Sequence, residues 1–339
     1  MTNAGVFPPV VDLTSPSAPE LIDAACQTVG FFQVLRHGIP AALMDSVFDV
    51  ADRFFAQPLP DKMSWASSSP EIERGYSAKG TEGLAYTLDL EQPPDLFEAL
   101  TFGREDLPED PAFHTTEHHF FAPNIWPDKP SDLRSTLLEY QDNAHRVVRQ
   151  ITSVMARGLG LDSDYFVPFT DHAVEALRIN YFEGRPGDTA MPYQFGIGPH
   201  TDYGIVTVLL ADQEPALQAF TNDGEWRYVV PVPGALVVNV GDLLSRWTND
   251  RWRSTLHRVV PVLSTDSSIR RRRSLPFFLE GNFDAVIECL PTCTDADNPP
   301  RYGPIKGGEH VYAKTMSGRL LEAAGAESTL GDRAGALDF

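Results

Sequence analysis

The sequence predicts a mainly β fold, a distorted double-stranded β-helix (jelly roll) buttressed by N-terminal and central α-helices. From Ala176 onward the chain is a succession of short runs rich in β-branched and aromatic residues: LRINYF, GIVTVLLA, ALQAF, WRYVV, ALVVNV, HRVVPVL and SLPFFLE. Turn signals such as Asn222-Asp223-Gly224 and Pro233-Gly234 separate them, and many short strands at such spacing suit two packed antiparallel sheets. Upstream the apolar period lengthens to three and four residues, which is the spacing of helices laid against a sheet.

Each element follows in order. Val10-Val11-Asp12-Leu13 reads as a brief strand. Ser17 offers an N-cap with Glu20 at capping-box spacing and Pro19 in the first turn, and that helix runs to a stop at Gly30. Phe31 to Leu35 is strand-like, and His37-Gly38-Ile39-Pro40 turns into a second helix ending near Phe55, with His37 bracing the turn. Residues 64–130 scatter proline, glycine and charge, so loops and short elements are expected there. Ser131 and Asp132 precede a long helix whose apolar face is Leu133, Leu137, Ala144, Val147, Val148, Ile151 and Met155, closed by Gly158 and Gly160. A last helix is expected over Ala313 to Ala324, followed by a frayed tail. The organisation read from this is an N-terminal α/β region with covering loops over 1–125, a helix plus jelly-roll core over 126–315, and a helix end and tail over 316–339.

The 339 residues are 42% hydrophobic and 10% aromatic, enough for a large core and an enclosed pocket. A net charge of −20 repels phosphate backbones and anionic lipid, so neither nucleic acid nor membrane is an expected partner. Three cysteines, Cys26, Cys289 and Cys293, are too few and uneven for a disulfide framework and suit a reducing compartment. The opening MTNAGVFPPVVDL has no basic start and no long apolar run, so no signal peptide is expected and the protein reads as cytoplasmic. It reads as a monomer or weak homo-oligomer.

Of the histidines, His200 and His257 have the most suggestive surroundings. His200-Thr201-Asp202 reads as the start of a strand, where residues two apart share a face and can converge on one ion. His257 starts another strand, HRVVPVL. Two imidazoles and one carboxylate leave open positions on a metal, the arrangement of non-haem Fe(II) sites. An H-x-D tripeptide alone is commonplace; a second feature strengthens it. Arg272 and Ser274, two apart on SLPFFLE and its approach, form a guanidinium–hydroxyl fork suited to a carboxylate, such as the far end of 2-oxoglutarate. A hairpin would set this strand beside that of His257. Arg270, Arg271 and Arg273 read as solvated. Phe278 and Glu280 continue the face of Ser274 and are candidates for the substrate pocket, with core packing as the alternative for Phe278. The carboxylate suggests a substrate with a hydroxyl or amine. His114, His118 and His119 near Glu117 make a weak second metal candidate, and Trp226, Trp247 and Trp252 read as packing.

GPHTDYGIVTVLLAD, ALQAF, GEWRYVVPVPGALVVNVGDLLSRWTNDRWRSTLHRVV and RRSLPFFLE, with VVDL and CQTVGFFQVLRHGIP earlier, resemble the isopenicillin N synthase-like family of 2-oxoglutarate/Fe(II)-dependent dioxygenases. The resemblance covers roughly residues 8 to 315, weakly over 64–125. It implies iron held by His200, Asp202 and His257, and 2-oxoglutarate held by Arg272 and Ser274. It also implies that Asn180 helps bind the cosubstrate; where several relatives carry a tyrosine, this chain has Phe182. The implied cofactors are Fe(II), 2-oxoglutarate and O₂. The implied activity is oxidation, most often hydroxylation, of a small molecule of natural-product or amino-acid metabolism. Two alternatives stay open: a 2-oxoglutarate-independent ring-forming oxidase or desaturase of the same family, and a catalytically silent binding or sensor protein with the same fold.

Overall fold

The computed structural model describes residues 6–69, 72–84, 92–106 and 119–317. The N-terminal part runs β1 (Val10–Asp12), α1 (Ala18–Thr28), β2 (Phe31–Leu35), α2 (Ala41–Phe55), α3 (Leu59–Met63), β3 (Gly75–Ser77) and β4 (Glu98–Gly103), followed by the long α4 (Leu133–Gly158). The β-rich part runs β5 (Val174–Gly184), β6 (Ile197–His200), β7 (Val206–Ala211), β8 (Leu217–Phe220), β9 (Trp226–Tyr228) and β10 (Leu236–Val240). It continues through α5 (Asp242–Trp247), β11 (His257–Val259), β12 (Arg270–Gly281), β13 (Val286–Ile287), β14 (Ile305–Lys306) and α6 (Gly307–Ser317).

Two sheets make the body: an eight-stranded sheet ordered β1-β2-β10-β7-β12-β5-β4-β3 and a four-stranded sheet ordered β6-β11-β8-β9. The N-terminal strands therefore extend the same sheet as the jelly-roll strands. Alternation along each strand divides the large sheet into two faces. Leu177, Ile179, Val206, Val208, Leu236, Val238, Leu275 and Phe277 pack with Ile22, Val47, Phe54, Leu137, Val148 and Met155 of α1, α2 and α4. That stripe is the main core, and it fixes the register, since a slip of one residue would turn every apolar side chain to the wrong side. The opposite face of the same strands looks into a cavity between the sheets.

Several expectations need correcting. Ser17 stands at the N-cap of α1, but its hydroxyl bonds Ser15 Oγ at 2.9 Å and caps no helical N–H. The region 64–130 contains β4, a full member of the large sheet paired to β5. α5 was not foreseen. α6 begins at Gly307, earlier than expected, and positions after 317 lie outside the described residues. His37 does brace its turn: Ile39 N–H donates to Nδ1 at 3.2 Å, and Nε2 lies 2.9 Å from the Gly234 carbonyl. No helix among the described residues is long and apolar enough to cross a membrane.

Candidate metal centre

β6 and β11 pair antiparallel with His257 directly opposite His200, which answers how residues so far apart in sequence meet. His200 is the last residue of β6, so Thr201 and Asp202 lie in the turn beyond it and not on a shared strand, as the sequence suggested. The first amides of α5 hold that turn: Asp242 N–H donates to the Asp202 carbonyl at 2.8 Å, and Leu243 N–H to the Tyr203 carbonyl at 3.0 Å. The free N–H groups that open a helix thus replace the strand as the brace.

Asp202 Oδ1 lies 3.8 Å from His200 Nε2 and 3.6 Å from His257 Nε2. One ligand atom from each of the three residues falls within 4.8 Å of the others. Two ligands about 2.1 Å from one first-row ion are at most about 4.2 Å apart, and both carboxylate–imidazole distances satisfy that limit. Both Nδ1 atoms face backbone carbonyls, Gly198 at 2.8 Å and Thr255 at 3.0 Å. Each Nδ1 therefore carries the proton, and each Nε2 turns a lone pair toward the common point. Asp202 Oδ2 accepts from Asn239 Nδ2 at 2.6 Å and from the Thr207 hydroxyl, leaving Oδ1 for an ion. Thr207 and Asn239 are themselves register partners on β7 and β10. Neither was singled out from sequence; the available signal was a polar residue on the inward side of an apolar strand.

The electrostatics agree. Burial, then the neighbouring His257, pushes the His200 imidazole down to about 4, which keeps it neutral. Burial works to raise Asp202, but His257, His200, Thr207 and Asn239 outweigh it and lower its pKa, so the carboxylate is ionised. Phe31 packs edge-on against the His257 ring at 5.4 Å between centroids.

The three residues open on a cavity of about 840 Å³ that is also lined by Arg272, Ser274, Asn180, Phe278 and Glu280. The structure thus brings the candidate iron, cosubstrate and substrate-pocket residues to one space. The expected hairpin does not: β12 lies in the large sheet between β5 and β7, while β11 lies in the small one. The fork therefore faces the cluster from the opposite sheet. Arg272 Nη1 donates to Ser274 Oγ at 2.8 Å, its guanidinium lies 5.2 Å from the Phe182 ring, and Nε has no hydrogen-bond partner among the described residues. Burial pushes its pKa down to about 10. Asn180 is opposite Ser274 in register, and its Oδ1 accepts from Arg178 Nε at 3.0 Å. The other arginines are not merely solvated: Arg270 pairs with Glu214, Arg271 with Glu183, and Arg273 with Asp52 and Asp212. His114, Glu117 and His118 lie outside the described residues. Trp247 and Trp252 are fully buried packing groups.

A jelly roll with two imidazoles and one carboxylate around a single point defines a mononuclear metal protein with open coordination positions. Known proteins agree. Residues 8–129 match the model of the non-haem dioxygenase in morphine synthesis N-terminal region, and residues 173–281 match that of the 2OG-Fe(II) oxygenase superfamily. A 2-oxoglutarate-Fe(II) type oxidoreductase of Emericella nidulans is 36% identical, covering 83% of this chain and 79% of its own. A homoarginine-6-hydroxylase of Oryza sativa subsp. japonica is 32% identical, covering 89% of each. A full-length Neurospora crassa protein in complex with alpha-KG superposes with a TM-score of 0.79 at 29% identity, over 94% of this chain and 98% of that one. The chain belongs to the 2OG-Fe(II) oxygenase superfamily. It is a 2-oxoglutarate-dependent Fe(II) oxygenase, with O₂ as its other cosubstrate.

Proposed function

We propose that His200, Asp202 and His257 hold the iron, that Arg272 and Ser274, flanked by Asn180, hold the far carboxylate of 2-oxoglutarate, and that a small molecule is hydroxylated in the remaining cavity. The observation that carries the cosubstrate assignment is Arg272: a buried guanidinium on the cavity wall with no carboxylate within ion-pair distance among the described residues. A buried cation without a counter-charge is costly, and a ligand carboxylate is the counter-charge that this fork fits.

When bound, iron and 2-oxoglutarate supply the oxidising power, consuming O₂ and releasing succinate and CO₂ as hydrogen is taken from the substrate. The chain's own residues bind and orient. The two Nδ1–H donors fix the imidazoles, Thr207 and Asn239 hold the carboxylate by its Oδ2, and the apolar wall that includes Phe278 excludes water. No side chain is required as a base for hydrogen abstraction. Hydroxylation is supported by the homoarginine-6-hydroxylase among the relatives, named for an amino-acid substrate, and by the Neurospora crassa neighbour, whose structure was also determined with thymine; small amino-acid or natural-product molecules are the class we infer. Three free thiols support a cytoplasmic location, and a monomer or weak homo-oligomer is the simplest assembly.

Anaerobic titration tests the reading. A weak visible band should require Fe(II) and 2-oxoglutarate together, and H257A should abolish it. A band formed without 2-oxoglutarate, or unchanged in H257A, would overturn the assignment. Oxidation without succinate release would favour the 2-oxoglutarate-independent oxidase.

A further inference from the structure

We propose that the substrate carries a basic nitrogen and that Glu280, aided by the field of Glu73, receives that cation; this rests on the cavity being the substrate chamber.

The register of β12 sets out the cavity in order. Ser274 is level with Ala211, at the Arg272 end, whereas Phe278 is level with Thr207, the residue that holds Asp202. Glu280 lies one inward step further along. A dicarboxylic acid running from Arg272 to the metal cluster therefore fills the first part, and the space beside Glu280 is left for the molecule to be oxidised.

Glu280 is the carboxylate on this wall with neither an ion pair nor a hydrogen bond among the described residues. Glu82 is paired with Arg178 at 2.5 Å, Glu175 is bonded to His145, and Asp202 belongs to the metal cluster. Arg74 directs its guanidinium to the carbonyls of Glu73, Ala122 and Phe120 and is not among the charges that act on Glu280. Glu280 Oε2 is shut off from solvent and has no hydrogen-bond partner among the described residues. Gly204 makes this placement possible: a Cβ there would stand 2.1 Å from Oε2 and 2.6 Å from Glu280 Cα. The missing side chain lets the carboxylate lie against the turn that carries Asp202.

A cation fits this position better than a neutral donor. Burial raises the Glu280 carboxyl to about 8, and the negative charges of Asp202, Glu73 and Asp242 add to it. Without a cation beside it Glu280 therefore keeps its proton at neutral pH; a hydroxyl can bond that neutral carboxyl, whereas a cation favours the carboxylate and pairs with it. Iron held by Asp202 would offset that residue's charge, whereas Glu73 and Asp242 lie outside the metal cluster. The net charge of −20 draws cations toward the mouth.

The test uses the anaerobic protein loaded with Fe(II) and 2-oxoglutarate, with calorimetric titration of matched probes: n-alkylguanidinium ions from ethyl to hexyl against n-alkylureas of equal length. The wild type should bind at least one guanidinium on the order of tenfold tighter than its urea. E280Q should erase that preference, and E73Q should reduce it. A series in which no guanidinium outbinds its urea, or a preference that survives in E280Q, overturns the proposal. The visible band is read first: its absence from wild type defeats the iron assignment and this proposal with it, whereas a normal band without cation preference defeats this proposal alone.

Discussion

Replacing Arg272 by methionine should leave the chain without metal and cosubstrate as stable as before, or slightly more so, while ruining its hold on 2-oxoglutarate. Burial lowers the Arg272 pKa to about 10, a penalty on the charged form of roughly 3 kcal/mol at about 1.4 kcal/mol per pKa unit. Methionine of similar length removes that penalty. It also gives up the contact with Phe182, about 1 kcal/mol, and the hydrogen bond to Ser274, about 1 kcal/mol. The balance is near zero to about 1 kcal/mol of stabilisation, whereas breaking a compensated buried ion pair costs roughly 3–5 kcal/mol. Because a base with a depressed pKa is penalised wherever it is protonated, the effect is constant below about 10, and a single urea denaturation at pH 7.5 measures it. Loss of one charged partner from a buried pair costs roughly 2–5 kcal/mol of binding. The 2-oxoglutarate concentration needed for the anaerobic band should thus rise by about 30-fold to several thousandfold. Destabilisation beyond 3 kcal/mol would mean that Arg272 is a structural cation, and a less than threefold change in 2-oxoglutarate affinity would remove its assigned role; either result refutes the reasoning.

Asn239→Ala should weaken Fe(II) binding about 10- to 100-fold by freeing Asp202 Oδ2, seen as a higher metal requirement for the band with no loss of fold by circular dichroism. Asp95, which accepts from Gly198 N–H and Leu84 N–H, is raised to about 7, chiefly by burial. An acid raised above its unfolded value of 3.8 gives stability that is complete below about 4 and is lost as pH climbs through about 7. D95N should flatten that slope by at most about 4 kcal/mol between pH 4 and 8, and parallel slopes in the two proteins would refute it. Gly204→Ala forces its Cβ onto Glu280, so it should lower the thermal midpoint by several degrees, from roughly 1–3 kcal/mol of overpacking, and an unchanged midpoint would show that the carboxylate can swing away.

The strands were legible where two patterns coincided. GIVTVLLA, ALVVNV and SLPFFLE are β-rich, and each keeps one apolar face for the helices, as Val208, Val238 and Phe277 do. EALTFG was not legible as β4, because its neighbours are rich in proline and charge and its partner β5 lies far downstream. DLLSRW was missed as α5 because six residues are too few for a helical period. The N-cap reading of Ser17 was local, and a local competitor, Ser15, took the hydroxyl.

The candidate site was legible for a different reason: chemistry that rare residue types carry survives an error in geometry. His200 and Asp202 were read as one strand face, yet Asp202 sits in a turn held by α5, and the pair still converges because α5 supplies the amides that a strand partner would have supplied. Likewise the Arg272 strand was put beside the histidine strand, and the fork reaches the cavity from the opposite sheet instead. What no spacing could disclose are the supports that depend on pairing between strands. Thr207 and Asn239 act on one carboxylate because β7 and β10 bring them side by side. Gly204 matters only because β12 delivers Glu280 to it. Ligands are written in residue identity, and their positioning is written in register.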